Sequence, residues 1–180
     1  MLATLPYHYT DTELKKLLKS ITILTDSREQ KNSHITRYFD SKDIPYKTRK
    51  LDYGDYSFYL PANDDLGITR DMYFNNDISI ERKANLEELS NCFTHDRSRF
   101  ESELIRASNS KLILLIENAK GYEDIIKHNY RTKYNNKSFI ASLMAFKYRY
   151  NIDVTFISNK YSGNFIYYNF YYYLREHLKS

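Results

Sequence analysis

An α/β fold, with a central mixed sheet flanked by helices, is the class this sequence predicts on three observations. Strand-like and helix-like segments alternate through the second half of the chain, the pattern of a sheet with a parallel portion. Lys111 to Glu117 is a near-continuous apolar run of the kind seen in a strand covered on both faces. At 180 residues and 21.6 kDa the chain has the size of one ordinary domain, large enough to withdraw roughly 70% of its unfolded surface from water.

Asp11 to Lys19 sets Leu14, Leu17 and Leu18 on one face at helical spacing, so residues 1–20 read as a helix appended to a domain over 21–180. Ile21 to Thr25 is a short β-rich run ending at Asp26, and Ser33 to Lys42 is a helix capped by Ser33 and closed before Pro45. Tyr46 to Leu51 and Tyr56 to Leu60 read as an antiparallel hairpin about the turn-rich tetrad Asp52-Tyr53-Gly54-Asp55. Positions 61–77 have loop composition with room for an extra strand near Ile68 to Phe74, after which Ile78 to Arg82 resumes as a strand. Asn85 to Cys92 and Arg97 to Ser108 read as helices. Beyond the apolar strand come a short helix near Tyr122 to His128, a longer one from Lys137 to Tyr150, a strand from Val154 to Ile157 and a terminal helix over 163–178. No repeat, low-complexity linker or charge block divides the chain.

Composition excludes several functions. The formal charge of +4 permits contact with nucleic acid but is far below that of a purely electrostatic DNA binder. The single cysteine, Cys92, excludes an internal disulfide and a multi-cysteine zinc site, and reads as a packing residue in a reducing cytoplasm. His95 and His128 lack zinc-like neighbours. No apolar stretch approaches the ~18 residues of a membrane span. With 19 Tyr, 10 Phe and no Trp, much of the packing falls to rings that also carry hydroxyls.

The acids at strand ends carry the chemistry. Asp26 closes one strand-like run, Asp55 opens another, and Glu81 lies in a third, followed by Arg82 and Lys83. Glu81 and Lys83, two apart on a strand, project to one face, while Arg82 points to the other and is free to pair with an acid behind the sheet. Hard divalent cations such as Mg²⁺ favour carboxylate and water oxygens, and the backbone carbonyl of Arg82 can complete such a shell. Taken alone, Gly54-Asp55-Tyr56 is a turn and Glu81-Arg82-Lys83 a charge cluster; their order on strands favours catalysis.

Gly54-Asp55-Tyr56, Ile80-Glu81-Arg82-Lys83 and the strand Leu112 to Glu117 resemble the nuclease domain of the XPF family of structure-specific endonucleases, within the PD-(D/E)XK class. The resemblance covers about Ile21 to Ile157. It implies a restriction-endonuclease-like fold with Asp26, Asp55, Glu81 and the Arg82 carbonyl as metal ligands, and Asp55, Glu81, Arg82 and Lys83 as the catalytic set. The family's last acid falls on Glu87, a glutamate where the family has aspartate, and Glu29 is a weaker addition. Arg99 matches the family's arginine on the following helix, with Arg97 as the alternate and Arg28 as a further substrate contact; a guanidinium binds phosphate oxygens in pairs.

The implied activity is Mg²⁺- or Mn²⁺-dependent hydrolysis of DNA at branches, flaps or junctions, in replication, recombination or repair. The implied setting is the cytoplasm of a bacterium or a phage-infected host. Two rival readings are a catalytically silent DNA- or protein-binding module and a sequence-specific restriction-like endonuclease. No helicase region and no helix-hairpin-helix module lie within these 180 residues, so junction recognition is expected from this domain or from a replication or recombination partner. Lys127, Lys133, Lys137, Lys147 and Arg149 fit either a DNA path or solubilising charge. The terminal helix is aromatic all round, so that an exposed ring surface remains once one face is packed, and the resemblance implies a homodimer through it.

Overall fold

The computed structural model describes residues 8–179. Its strands are β1 (Thr22–Thr25), β2 (Tyr46–Thr48), β3 (Tyr56–Leu60), β4 (Met72–Tyr73), β5 (Ile78–Lys83), β6 (Lys111–Glu117) and β7 (Asp153–Ile157). They form one mixed sheet in the order β2-β1-β3-β5-β6-β7, with β4 paired to β3 off that path. The helices are α1 (Asp11–Lys19), α2 (Ser33–Ser41), α3 (Leu86–Phe93), α4 (Arg97–Arg106), α5 (Tyr122–Ile126), α6 (Asn136–Arg149) and α7 (Ser162–Lys179).

Alternation along the strands divides the core in two. Tyr56, Phe58, Ile78, Ile80, Ile113 and Leu115 face a layer built from α1, α2 and α7. Leu112, Leu114 and Ile116 face the other way, against α3, α4 and α6. The parallel pairing of β5 with β6 and of β6 with β7 makes β6 a strand covered on both faces, as its composition predicts.

The expected hairpin does not form. β1 lies between β2 and β3, parallel to the first and antiparallel to the second. Ile23 and Leu24 are fully buried on opposite faces of β1 and need sheet neighbours on both sides, whereas β2 is short and exposed enough to serve as an edge. The extra strand expected near Ile68 to Phe74 reduces to the two residues of β4.

Of the N-terminal segment, residues 1–7 lie outside the described residues. α1 begins with a capping box between Thr10 and Glu13 and buries Leu14, Leu17 and Leu18 in the same cluster as the sheet, so it shares the main core. α7 buries Ile166, Phe170, Leu174 and Leu178, four residues apart along one stripe, and reaches α2 closely at Gly163, where a Cβ would stand 2.7 Å from that of Tyr38.

Candidate active site

The site is built around the end of β5. Gly54 turns the chain with φ +71°, and an added Cβ would lie 2.9 Å from the Ser79 Cβ. Glycine is required there twice over, by backbone conformation and by contact. The turn sets Asp55 beside β5: its N–H donates to the Ile80 carbonyl at 2.8 Å, and its Oδ2 accepts the Arg82 N–H at 2.8 Å. Gly54→Ala should therefore lower stability by more than about 1 kcal/mol and displace Asp55, read as a lower melting temperature together with reduced activity. Wild-type values for both would show that the turn does not position the acid.

Glu81 and Lys83 share the face covered by α3 and α4. The Lys83 ammonium donates to Glu81 Oε1 at 2.6 Å and lies 5.2 Å from the centroid of the Phe100 ring. Both side chains are buried, and Glu81 Oε2, equally buried, has no hydrogen-bond partner. They open into a cavity of about 250 Å³ that Asp55, Glu88, Glu103, Arg28, Arg99 and Arg106 also line.

Electrostatics in this cavity are unbalanced. Burial, then the Glu81 and Glu29 charges, hold the Asp55 carboxyl well above the ordinary carboxylate range. Burial also raises Glu81, with Lys83 opposing and the nearby Glu103 carboxylate adding to the rise. Burial by itself would favour a neutral Lys83, but the Glu81 charge and hydrogen bond, with the further negative groups at the cavity, together outweigh it and keep the ammonium protonated. Cys92, at the same cavity, is pushed up to about 11 mainly by burial, so it stays a thiol.

The Arg82 side chain points through to the other layer. Its guanidinium bonds Glu29 Oε1 at 2.8 Å, Glu117 Oε2 at 2.9 Å and the Lys31 carbonyl at 3.2 Å. Glu117 Oε1 in turn accepts from the Ser162 hydroxyl at 2.6 Å and lies 2.6 Å from His34 Nε2. Glu29 thus belongs to a buried ion-pair network behind the sheet, and Arg82 meets the cavity through its backbone.

Asp26 is engaged by donors of the chain itself. Its carboxylate accepts from Arg28 Nε at 2.6 Å, from the Arg28 N–H at 2.9 Å and from the Leu51 N–H at 2.7 Å, and it is absent from the cavity lining. Burial would raise its pKa, but the Arg28 bond and these N–H groups lower it overall, so the anion is held by the chain itself. Asp26 orients Arg28 toward the cavity, and the Asp26 N–H donates to the Asp55 carbonyl at 2.7 Å. Among the described residues no three His, Cys, Asp or Glu side chains form a ready cage for a metal ion.

Glu87 also turns away, accepting the Arg131 N–H at 2.9 Å, whereas its neighbour Glu88 reaches the cavity mouth, 4.0 Å from Lys83. Arg99 lines the cavity beside Asp96 at 3.6 Å. Arg97 instead pairs with Glu101 at 3.3 Å and covers the Phe146 ring.

Three residues of the site escaped the sequence reading: Glu88, Glu103 and Arg106. Glu103 Oε1 accepts the Gly54 N–H at 3.0 Å, tying α4 to the turn that carries Asp55. The available signal was the spacing of Arg99, Glu103 and Arg106 at i, i+4 and i+7, one polar helix face.

The side chains fit a divalent cation. Two carboxylates raised chiefly by burial, one of them with an orphaned buried oxygen, are an anionic oxygen-donor set, and Mg²⁺ is commonly held by one or two carboxylates with water completing its shell.

Comparison with known proteins identifies the fold. The model for the ERCC4 domain matches residues 25–169. Among solved structures, XPF from Aeropyrum pernix superposes with a TM-score of 0.60 at 17% identity, covering 86% of this chain and 65% of that chain. XPF from Aeropyrum pernix in complex with DNA gives a TM-score of 0.59 at 16% identity over the same shares. The chain thus spans about two thirds of the length of these relatives, and no curated protein sequence matches it. With the matched segment running from the end of β1 into the first half of α7, and so enclosing Asp55, Glu81 and Lys83, the chain belongs to the ERCC4-domain family and has the XPF nuclease fold.

Proposed function

We propose that the protein is a DNA endonuclease dependent on Mg²⁺ or Mn²⁺, cutting at branches, flaps or junctions. The observation that carries the reading is the pair of buried carboxylates of Asp55 and Glu81, with Lys83 at 2.6 Å from Glu81, in a cavity that Arg28, Arg99 and Arg106 also line. Asp55, Glu81 and the Arg82 carbonyl would hold the cation, which supplies Lewis acidity and a bound water of lowered pKa.

The remaining roles follow from the side chains present. Lys83 is kept protonated, so it stabilises negative charge on a phosphate or orients a water by donating hydrogen bonds; it does not accept a proton. Arg28, Arg99 and Arg106 supply planar guanidinium groups to phosphate oxygens at the cavity mouth. The DNA bound by the Aeropyrum pernix relative supports DNA as the polymer. A place in replication, recombination or repair accords with that substrate.

Linear duplex, flap and four-way DNA incubated with and without Mg²⁺ test the proposal. Cleavage confined to branched DNA, and only with the cation, is the expected result. Cutting of plain duplex at fixed sites would favour the restriction-like reading, and binding without cutting the silent module.

We also propose a homodimer through α7. Outside its buried stripe, Tyr168 and Tyr172 remain 43% and 54% exposed, and they cluster with Tyr167 and Tyr171 at ring separations of 5.1 to 6.1 Å. A ring surface of this kind suits an interface core. Sedimentation at micromolar concentration should give a dimer that Tyr168→Glu with Tyr172→Glu converts to monomer; a wild-type monomer removes the proposal.

A further inference from the structure

The helical layer over the active-site face of the sheet stops at β5. The apolar cluster of α3, α4, α6 and β6 contains no residue of β1, β2, β3 or β4. On those strands this face carries Lys47, Tyr59 and Tyr73 beside the buried Leu24 and Ser57. Register fixes this: Leu24 pairs with both Lys47 and Ser57, Tyr59 pairs with Tyr73, and Tyr56 pairs with Ile80. Alternation then sets Tyr59 opposite to Phe58 and on the same face as Glu81 and Lys83.

These side chains are ordered into a stack. The Tyr59 and Tyr73 rings lie 5.0 Å apart at 15°. Lys47 Nζ stands 3.9 Å from the Tyr59 centroid, and the Arg49 guanidinium 4.1 Å from that of Tyr73. Among the described residues neither Lys47 nor Arg49 is paired with a carboxylate, so their charge is left for a partner.

A second cavity borders the active site. About 600 Å³ in volume, it is lined by Arg28, Lys50, Asn76 and Arg106 among others, and Arg28 and Arg106 line the active-site cavity as well. Lys50 follows Arg49 directly in the chain, and Asn76 stands three residues beyond Tyr73.

We propose that this basic track seats a single-stranded DNA segment running away from the active site. Its bases displace Lys47 and Arg49 from the Tyr59 and Tyr73 rings and stack there, and its phosphates meet those two cations, Lys50 and Arg28. The cations alone would serve a duplex equally well; the rings decide for the single strand, because only unpaired bases expose a face to stack. The inference rests on the nuclease reading and adds the part of the substrate that the domain holds unpaired.

The test is binding without cutting. In EDTA, with Glu81→Gln as the parent, a labelled oligothymidylate and a blunt duplex of equal length are titrated by fluorescence anisotropy. Tyr73→Ala should weaken strand binding by about tenfold or more, as loss of one stacked base does. Tyr73→Phe should leave it unchanged, and duplex affinity should move by less than about twofold, since non-specific duplex binding is carried by charge. A parent that binds no strand, a Tyr73→Ala protein that binds it as tightly, or equal losses for strand and duplex would each overturn the proposal. Cleavage by the wild type is scored separately. A protein that holds strand through Tyr73 yet cuts nothing overturns the nuclease reading alone.

Discussion

Replacing Asp55 by Asn, or Glu81 by Gln, should lower DNA cleavage by about 10²–10³-fold, the cost of removing one preorganised electrostatic group from an active site. Both substitutions keep the side-chain volume and a carbonyl acceptor, so the Arg82 N–H and the Lys83 ammonium retain their hydrogen-bond partners. Activity and stability should separate in Asp55→Asn. Because burial and neighbouring negative charge raise the folded-state pKa of Asp55, the folded protein holds this proton more tightly than the unfolded chain. The associated stability is complete below the ordinary carboxyl value near ~4 and is lost as pH rises through the folded value. Asparagine carries no charge to lose, so the variant should melt at or above the wild-type temperature at neutral pH while cutting poorly. Melting below the wild type there, or cleavage at the normal rate, would contradict the assignment of Asp55 as a strained, functional carboxylate.

Arg82→Met should produce the largest loss of stability, about 3–5 kcal/mol. The guanidinium is 5% exposed between Glu29 and Glu117, which are 8% and 4% exposed, and without it both carboxylates remain buried and stripped of their shared guanidinium. For a domain of this size that corresponds to a fall in melting temperature of roughly 6–20 °C. Adding Glu29→Gln and Glu117→Gln should recover part of the loss by removing the stranded charges. A single variant that melts with the wild type would mean that the network behind the sheet does not hold β5 in place. Because the Arg82 backbone also bonds Asp55, that network and the active site are two sides of the same strand.

What was legible in the sequence was what depends on short-range periodicity. The two-residue repeat of a strand is enough to separate Glu81 and Lys83 from Arg82, and the apolar composition of β6 is enough to make it a central strand. What was hidden depends on how distant segments meet. Asp26 stands at a strand end like Asp55, but β1 inserts between β2 and β3, and the loop after β2 brings the Leu51 N–H onto its carboxylate. The same insertion removed the expected hairpin. Choosing Glu87 over Glu88 required a helix start known to one residue, since adjacent helical positions face about 100° apart. Asn85 caps α3 through the Glu88 N–H, and the first helical residue is Leu86. Glu103 reaches the site only through the Gly54 N–H, 49 residues earlier in the chain, a contact without a local sequence signal.

Manganese binding followed by the electron paramagnetic resonance of the free ion is the most direct measurement of the central claim, that Asp55 and Glu81 form an oxygen site for a divalent cation. The wild-type protein should take up at least one ion per chain, and Asp55→Asn combined with Glu81→Gln should release it. Equal uptake by both proteins, or no uptake by the wild type, would contradict the account.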